Sequence, residues 1–466
     1  MSPRRSVQMS RFQGSRRAVI ALAAVVALLV GSELGLNQFG PNRDKSKDFD
    51  FFVYYFAAQA VLDNPHSDLY KGATNRNPTL VEVPDDNDMA QHARSEGFSV
   101  VYQYIYPPLL ADMLQPLARI SPYRAAAVWR AFNLIVVFLA LLPLRRLLRV
   151  RLMSFEFATL VLCAFSFFPI DETLHYGQIS IAMFALWAVG ICAYRDGKPR
   201  LSAAVLALAT IIKITPILSV PVMLIWKDRR WLVSYFSVLT GLVVFMGFYN
   251  GLETSASFLT VMTHMTSGNP VISNKSIASV ATWIYYGKAF DGRSVVDVIS
   301  RSAPVLTLAT RAVSLAICAS ALYLLWRNRT CRDCDSRAIA LAVFALLVLC
   351  VSPVSWRHAY AVAFIPLALS WADALRRQQG LWHLALLVLT SVSIGTVYLD
   401  AGSDFIPNQP LKILMCAMPV LCAVLLSLYT LAHPERGKPP VISQAGEDAQ
   451  EDQGVPSPPS LLPARK

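Results

Sequence analysis

Apolar runs long enough to cross a bilayer recur along this 466-residue chain, and short clusters of Arg and Lys stand at their ends. Nothing else in the sequence constrains the fold as tightly. A run of ~20 apolar residues has to satisfy its own backbone hydrogen bonds in lipid, which selects helices. With 55% hydrophobic and only 15% charged side chains, an ordinary soluble domain is excluded. The expected spans are 18–36, 123–144, 154–170, 177–194, 201–212, 215–226, 231–249, 304–325, 337–351, 357–374, 381–399 and 411–431. The first follows Arg4, Arg5, Arg11, Arg16 and Arg17, and its length favours a retained span over a cleaved signal.

The formal charge of +12 invites a polyanion partner, but the basic residues are not a patch. They gather at run ends: Arg145, Arg146, Arg149 and Arg151; Arg195, Lys198 and Arg200; Lys227, Arg229 and Arg230; Arg327, Arg329, Arg332 and Arg337; Arg376 and Arg377. This is a positive-inside distribution, so the excess reports topology and not nucleic acid. All of these clusters fall on one side if 201–226 is a pair of short arms turning at Lys213-Ile214-Thr215-Pro216, with Pro216 as the break. The eight cysteines sit in expected spans or cytoplasmic loops, which implies no disulfide framework. Cys331 and Cys334 form one Cys-x-x-Cys without two further ligands at zinc spacing, so no metal is expected.

Three segments follow from this topology: a cytoplasmic basic N-terminus over 1–17, a transmembrane domain over 18–432, and a polar, Pro-rich tail over 433–466 expected to be a disordered cytoplasmic extension. Two long stretches, about 37–122 and 251–303, lie outside. The first opens with the acidic, aromatic run Asp48-Phe49-Asp50-Phe51-Phe52-Val53-Tyr54-Tyr55, and 50–62 reads as an amphipathic helix in the interface. Tyr106-Pro107-Pro108 reads as a turn or helix start more than a substrate contact.

Five polar features converge on the outer side: Asp48 and Asp50, Gly177-Gln178, Lys213, Asn274-Lys275-Ser276, and Ser352-Pro353-Val354-Ser355-Trp356-Arg357-His358. Ionisable groups beside lipid are costly to keep without a task. A carboxylate there can take the proton of an attacking hydroxyl, commonly worth ~10²–10⁴-fold in rate. Lys213, His358 and Arg357 suit a phosphate, and Gln178 and Asn274 suit sugar hydroxyls. Each group also has a plain structural reading. Asp50 fits a helix cap, with Asp48 more structural than catalytic. Lys213 fits a snorkelling lysine, His358 a satisfied interfacial histidine, and Gln178 a cap of the span that follows.

At these positions the sequence resembles glycosyltransferase family 87, integral-membrane enzymes of the GT-C fold. The resemblance is carried by Asp50-Phe51-x-x-Tyr54-Tyr55-x-Ala57-Ala58, Tyr106-Pro107-Pro108 with Pro116-Leu117, Gly177-Gln178, Lys213-x-Thr215-Pro216, Asn274-x-Ser276 and Ser352-Pro353-x-Ser355-Trp356-x-His358, in the family's order over about residues 45 to 375. It implies an all-α, GT-C-like bundle of about 12 transmembrane segments, with interfacial helices in the outer loops. It also implies metal-free, cofactor-free, inverting transfer of a sugar from a polyprenyl-phosphate donor to a lipid or glycan acceptor. That transfer takes place on the non-cytoplasmic face of the plasma membrane. The best-known members are actinobacterial mannosyltransferases that extend phosphatidylinositol mannosides, which makes mannose the default sugar. Carried over, Asp50 is the catalytic base, and His358 belongs to the donor-phosphate site with Lys213 and Arg357. Gln178, Asn274, Ser276 and Tyr54 bind sugar or acceptor. The chain has Ser180 where the family often shows Asn, and Arg357 where it often has an acidic residue. The competing reading is a polytopic transporter or flippase of a lipid-linked sugar, against which the ionisable groups gather at one interface and not at the midplane.

Overall fold

The computed structural model describes residues 49–73, 82–99, 101–265, 271–288, 304–330, 334–377, 381–396 and 408–433. The expected first span, the basic N-terminus, Asp48, Cys331 and the tail beyond 433 lie outside the described residues. Among those described there are helices and two isolated β-bridges, Glu82 with Tyr102 and Asn274 with Trp356, and no strand.

The order is α1 (Phe49–Asp63), α2 (Asp88–Ser95), α3 (Pro108–Ala118), α4 (Pro122–Leu147), α5 (Phe155–Phe165), α6 (Phe168–Tyr176), α7 (Ser180–Arg195) and α8 (Pro199–Ile212). A short 3₁₀ turn, Thr215–Leu218, leads to α9 (Ser219–Trp226), α10 (Arg229–Asn250), α11 (Leu252–His264), α12 (Ile277–Tyr286), α13 (Pro304–Arg327) and α14 (Cys334–Val351). A second 3₁₀ stretch, Arg357–Ala363, runs into α15 (Phe364–Arg377), followed by α16 (Leu381–Gly395) and α17 (Gln409–Ala432).

Among the described residues, six helical segments are long and apolar enough to cross a membrane: Pro122–Leu147, Arg229–Asn250, Pro304–Arg327, Cys334–Val351, Arg357–Leu375 and Gln409–Ala432. A seventh is the pair α5–α6, bent by 56°. The chain is therefore a multi-pass helical membrane protein. The bend has a local cause: Pro169 cannot donate to the preceding turn and disfavours helix at Phe167-Phe168, so the expected span 154–170 breaks and restarts. The apolar run 201–226 also divides where expected. Lys213 leaves α8 with extended backbone (φ −151°, ψ 116°), just before Pro216.

Helix α1 corrects the expectation of an amphipathic helix lying in the interface. Phe51 through Ala58, Ala60 and Val61 are all buried, and the helix packs on α2, α3, α4 and α6. A helix apolar on every face has no polar side to give to water and belongs in the interior. Its rings interlock: Phe51 stacks on Trp129 at 6.0 Å, and Phe52 meets Phe98 edge-on at 4.6 Å. Asp112 on α3 is a second enclosed carboxylate, tied to Asn250 at the end of α10 by a 3.0 Å hydrogen bond. Its burial pushes its carboxyl up to about 6.

At the other end of the bundle, Arg149 and Arg195 both pair with Asp335, and Arg146 pairs with Asp196. The C-terminal ends of α4 and α7 and the start of α14 thus meet.

Candidate active site

A cavity of about 250 Å³ opens where α1, the segment before α3, α6 and the segment before the second 3₁₀ stretch converge. Asp50, Val53 and Tyr54 line it together because residues three and four apart share one face of α1. Across from them stand Glu172, Gln178, Trp356, Arg357 and His358, with Tyr106 on the flank.

Gln178 is placed by Gly177, which ends α6 in the left-handed conformation (φ +69°). The Gly177 carbonyl accepts from the Trp129 indole at 2.7 Å, and Gln178 N–H returns to Thr173 O at 3.0 Å. Gln178 Oε1 accepts two hydroxyls, from Tyr54 at 2.6 Å and Tyr106 at 3.2 Å. With its oxygen so occupied, the amide must turn its N–H groups the other way. They donate to Asp50.

Asp50 is half-buried and lines this cavity. Its enclosure pushes the carboxyl up to about 6, against the opposing pull of the Gln178 hydrogen bond and the Lys213 ammonium. A carboxylate poised there is still ionised at neutral pH yet basic enough to accept a proton. Activity that depends on ionised Asp50 is expected to rise with pH through about 6 and level off above 7. A pH–rate profile of kcat/KM checks this, and a flat profile from pH 5 to 8 contradicts it.

The opposite wall carries a carboxylate, a guanidinium and an imidazole. Arg357 lies 2.7 Å from Glu172 Oε1, with its guanidinium over the Phe168 ring at 5.2 Å. His358 is buried, stacked on Trp356, and its carbonyl accepts from Thr173 Oγ1 at 3.1 Å. His358 Nε2 has no hydrogen-bond partner among the described residues, although it belongs to a cavity-lining side chain. Such a nitrogen is suited to a ligand oxygen. Lys213 is not in the cavity wall but lies within coulombic reach of both Asp50 and His358. Helix α6 therefore ties the two walls together, holding Asp50 through Gln178 and the Arg357–His358 segment through Glu172 and Thr173.

Asn274 and Ser276 stand elsewhere than the expected sugar contacts. Asn274 is fully enclosed; its Oδ1 accepts from Ser355 N at 2.6 Å and its Nδ2 donates to Pro353 O at 3.1 Å. Ser276 caps α12 and also reaches Pro353 O at 3.2 Å. Both brace the backbone that presents Arg357 and His358, and neither lines the cavity. Asn274→Ala is expected to lose ~1–3 kcal/mol of stability by orphaning the buried Ser355 amide, read as a lowered Tm.

Tyr106 and Glu172 are among the cavity residues that lie outside the expected site set. Tyr106 was read as turn-forming; it does precede the proline start of α3, but its hydroxyl also meets Gln178. Glu172 lies just past the expected span end at 170, beside Asp171. The signal available for it is a carboxylate next to a membrane span.

A family model described as glycosyltransferase family 87 matches residues 104–353. Over 438 residues the chain is 25% identical to the polyprenol-phosphate-mannose-dependent alpha-(1-2)-phosphatidylinositol pentamannoside mannosyltransferase of Mycobacterium tuberculosis (strain CDC 1551 / Oshkosh), covering 90% of this chain and 89% of the relative. The family match takes in α3 through α14 and most of the cavity's supporting helices; Asp50 and His358 flank it. With the membrane helices and the Asp50 cavity already in place, the chain belongs to glycosyltransferase family 87, and is a membrane glycosyltransferase.

Proposed function

We propose that this enzyme moves a hexose, mannose by default, from a polyprenyl-phosphate donor to a lipid or glycan acceptor, with inversion at the anomeric carbon. The observation that carries the reading is the placement, in one 250 Å³ cavity, of the Asp50 carboxyl, pushed up to about 6, with the Arg357 guanidinium and the His358 imidazole. Asp50 takes the acceptor hydroxyl proton as that oxygen attacks the anomeric carbon. His358 and Arg357 hold the donor phosphate, which departs with the electron pair of the glycosidic bond, and Lys213 adds long-range positive charge. Tyr54, Tyr106 and Gln178 offer hydroxyl and amide groups to the sugar while fixing Asp50. Asn274 and Ser276 act at one remove, as positioning residues.

The dependence on a polyprenyl-phosphate sugar is supported by the printed activity of the mycobacterial relative. We assign the cavity to the periplasmic or extracellular face, opposite the basic end of the bundle. The four shorter apolar helices (Ser180–Arg195, Pro199–Ile212, Thr215–Trp226 and Leu381–Gly395), the six or seven long ones, and the run at 18–36 together accommodate about 12 crossings in a GT-C-like domain over 18–432.

The test is mass spectrometry of glycolipids from cells lacking the gene and complemented with wild type or Asp50→Asn. Accumulation of a lipid one hexose shorter, rescued by wild type alone, is the expected outcome. Equal rescue by both genes contradicts the role of Asp50.

A further inference from the structure

The segment that leads into α3 supplies one side of the Asp50 cavity, and its backbone is held at several points. Tyr102 forms the β-bridge with Glu82, and Val83 N–H donates to Val101 O at 2.9 Å. The Tyr70 hydroxyl donates to Tyr106 O at 2.6 Å, and the Tyr104 hydroxyl to Pro107 O at 2.8 Å. Gln103 stands within this pinned segment, lines the cavity and is 4% exposed. Glutamine is mostly a surface residue, and a buried one is expected to have its polar atoms matched.

Only half of this amide is matched. Gln103 Nε2 donates to Leu69 O at 2.9 Å. A carbonyl oxygen only accepts, so the nitrogen and not the oxygen has to face Leu69. Gln103 Oε1 is buried and has no hydrogen-bond partner among the described residues. An enclosed acceptor left unpaired costs free energy, and a donor that arrives with a ligand removes that cost. Gln178 is arranged the opposite way. Its oxygen is filled by two phenols and its nitrogen donates to Asp50, whereas Gln103 has its nitrogen filled by backbone and an oxygen to spare.

We propose that Gln103 is a specificity-determining residue, its Oε1 accepting a hydrogen bond from one hydroxyl of the hexose being transferred. This rests on the glycosyl-transfer reading of the cavity. Of the parts of a lipid-linked sugar, the ionised phosphodiester has only acceptor oxygens and the prenyl chain has no polar hydrogen. Only the sugar hydroxyls can donate to an amide oxygen. The cavity is thereby divided by chemistry. Gln103 presents an acceptor, suited to the sugar, while Arg357 and His358 stand on a different segment and suit the phosphate. A donor bound the other way round would set phosphate oxygens against the Gln103 oxygen. A site that holds a hydroxyl in this way also rejects the analogue lacking it, because the buried oxygen is then left unpaired again.

The test uses the purified full-length enzyme with a phosphatidylinositol mannoside acceptor, and as donors polyprenyl-phosphate mannose and its four monodeoxy counterparts. Wild type, Gln103→Met and Gln103→Glu are compared by kcat/KM for each donor and by Tm. Wild type is expected to use one deoxy donor ~10–10²-fold less well than mannose. Gln103→Met should lose about that factor on mannose, yet use the same deoxy donor as well as wild type does. The other deoxy donors should respond to the substitution as mannose responds. Gln103→Glu keeps an acceptor oxygen but gives up the bond to Leu69, so it should retain the discrimination even if its Tm falls. Two results overturn the proposal. One is an equal loss on all donors in Gln103→Met, which means that the residue serves the fold or the acceptor. The other is a wild type that uses every deoxy donor as well as mannose, which decides the matter even if both variants fail to fold. If Asp50→Asn is inactive while either of these results is found, only the role of Gln103 fails. If Asp50→Asn is itself fully active, the reading of the cavity fails.

Discussion

Asp50→Asn is expected to abolish sugar transfer, lowering kcat ~10²–10⁴-fold while leaving the protein folded and better able to withstand heat. The amide keeps the shape of the carboxyl group, and the cavity has polar partners for it, but it cannot take a proton. The stability change follows from linkage. The folded protein holds the Asp50 carboxyl up to about 6, above its unfolded value, so the folded state binds the proton more tightly. That favours folding below the unfolded value and is lost as pH rises through about 6. At pH 7 the ionised group costs up to ~3 kcal/mol, less whatever water in the cavity relieves, and Asn removes that cost. Transfer kinetics and thermal melting of one preparation check both halves. A fall in Tm parallel to the loss of rate means the residue holds the fold and does not serve as the base.

Gly177→Ala is the second large effect. At φ +69° an alanine is strained by ~1–2 kcal/mol, and its Cβ would stand 2.7 Å from Phe51 Cβ. That atom is the stem of a ring stacked on Trp129, next to the backbone of α1, so relief requires moving the helix that carries Asp50. Overpacking of this kind costs a further ~1–3 kcal/mol. Tm is expected to drop and transfer to fall at least tenfold, since Gln178 shifts with its neighbour. Gly177→Asn should fare no better, because asparagine tolerates the dihedral but not the contact. Gly97, at φ +85° with nothing within 4 Å of its would-be Cβ, is the control and should accept Asn with little change. Equal behaviour at 97 and 177 contradicts the packing argument.

Much of this site was legible in the sequence, for identifiable reasons. Asp50, Gln178, Arg357 and His358 are polar groups in apolar or aromatic surroundings, where a residue without a task is costly, and the structure brings all four to one cavity. The proline breaks at 169 and 216 were partly readable: the second was expected, and the first converted an expected straight span into a bent pair. What did not show was which polar groups face substrate and which face backbone. Asn274 and Ser276 look like hydroxyl binders by type. Only the hydrogen bonds to Ser355 and Pro353, some 80 residues away in sequence, reveal them as braces. Glu172 and its ion pair with Arg357 are likewise non-local. The burial of α1 on every side depended on partners from α2, α3, α4 and α6 that no local pattern announces.

The most direct test of the central claim is a reconstitution. Purified enzyme in liposomes receives polyprenyl-phosphate mannose carrying a radiolabelled sugar, with and without a phosphatidylinositol mannoside acceptor. Labelled glycolipid and free polyprenyl phosphate are counted together. The account predicts acceptor-dependent transfer, with one polyprenyl phosphate released per sugar moved. Movement of the intact lipid-linked sugar across the bilayer without acceptor, and without release of polyprenyl phosphate, would contradict it and make the protein a transporter.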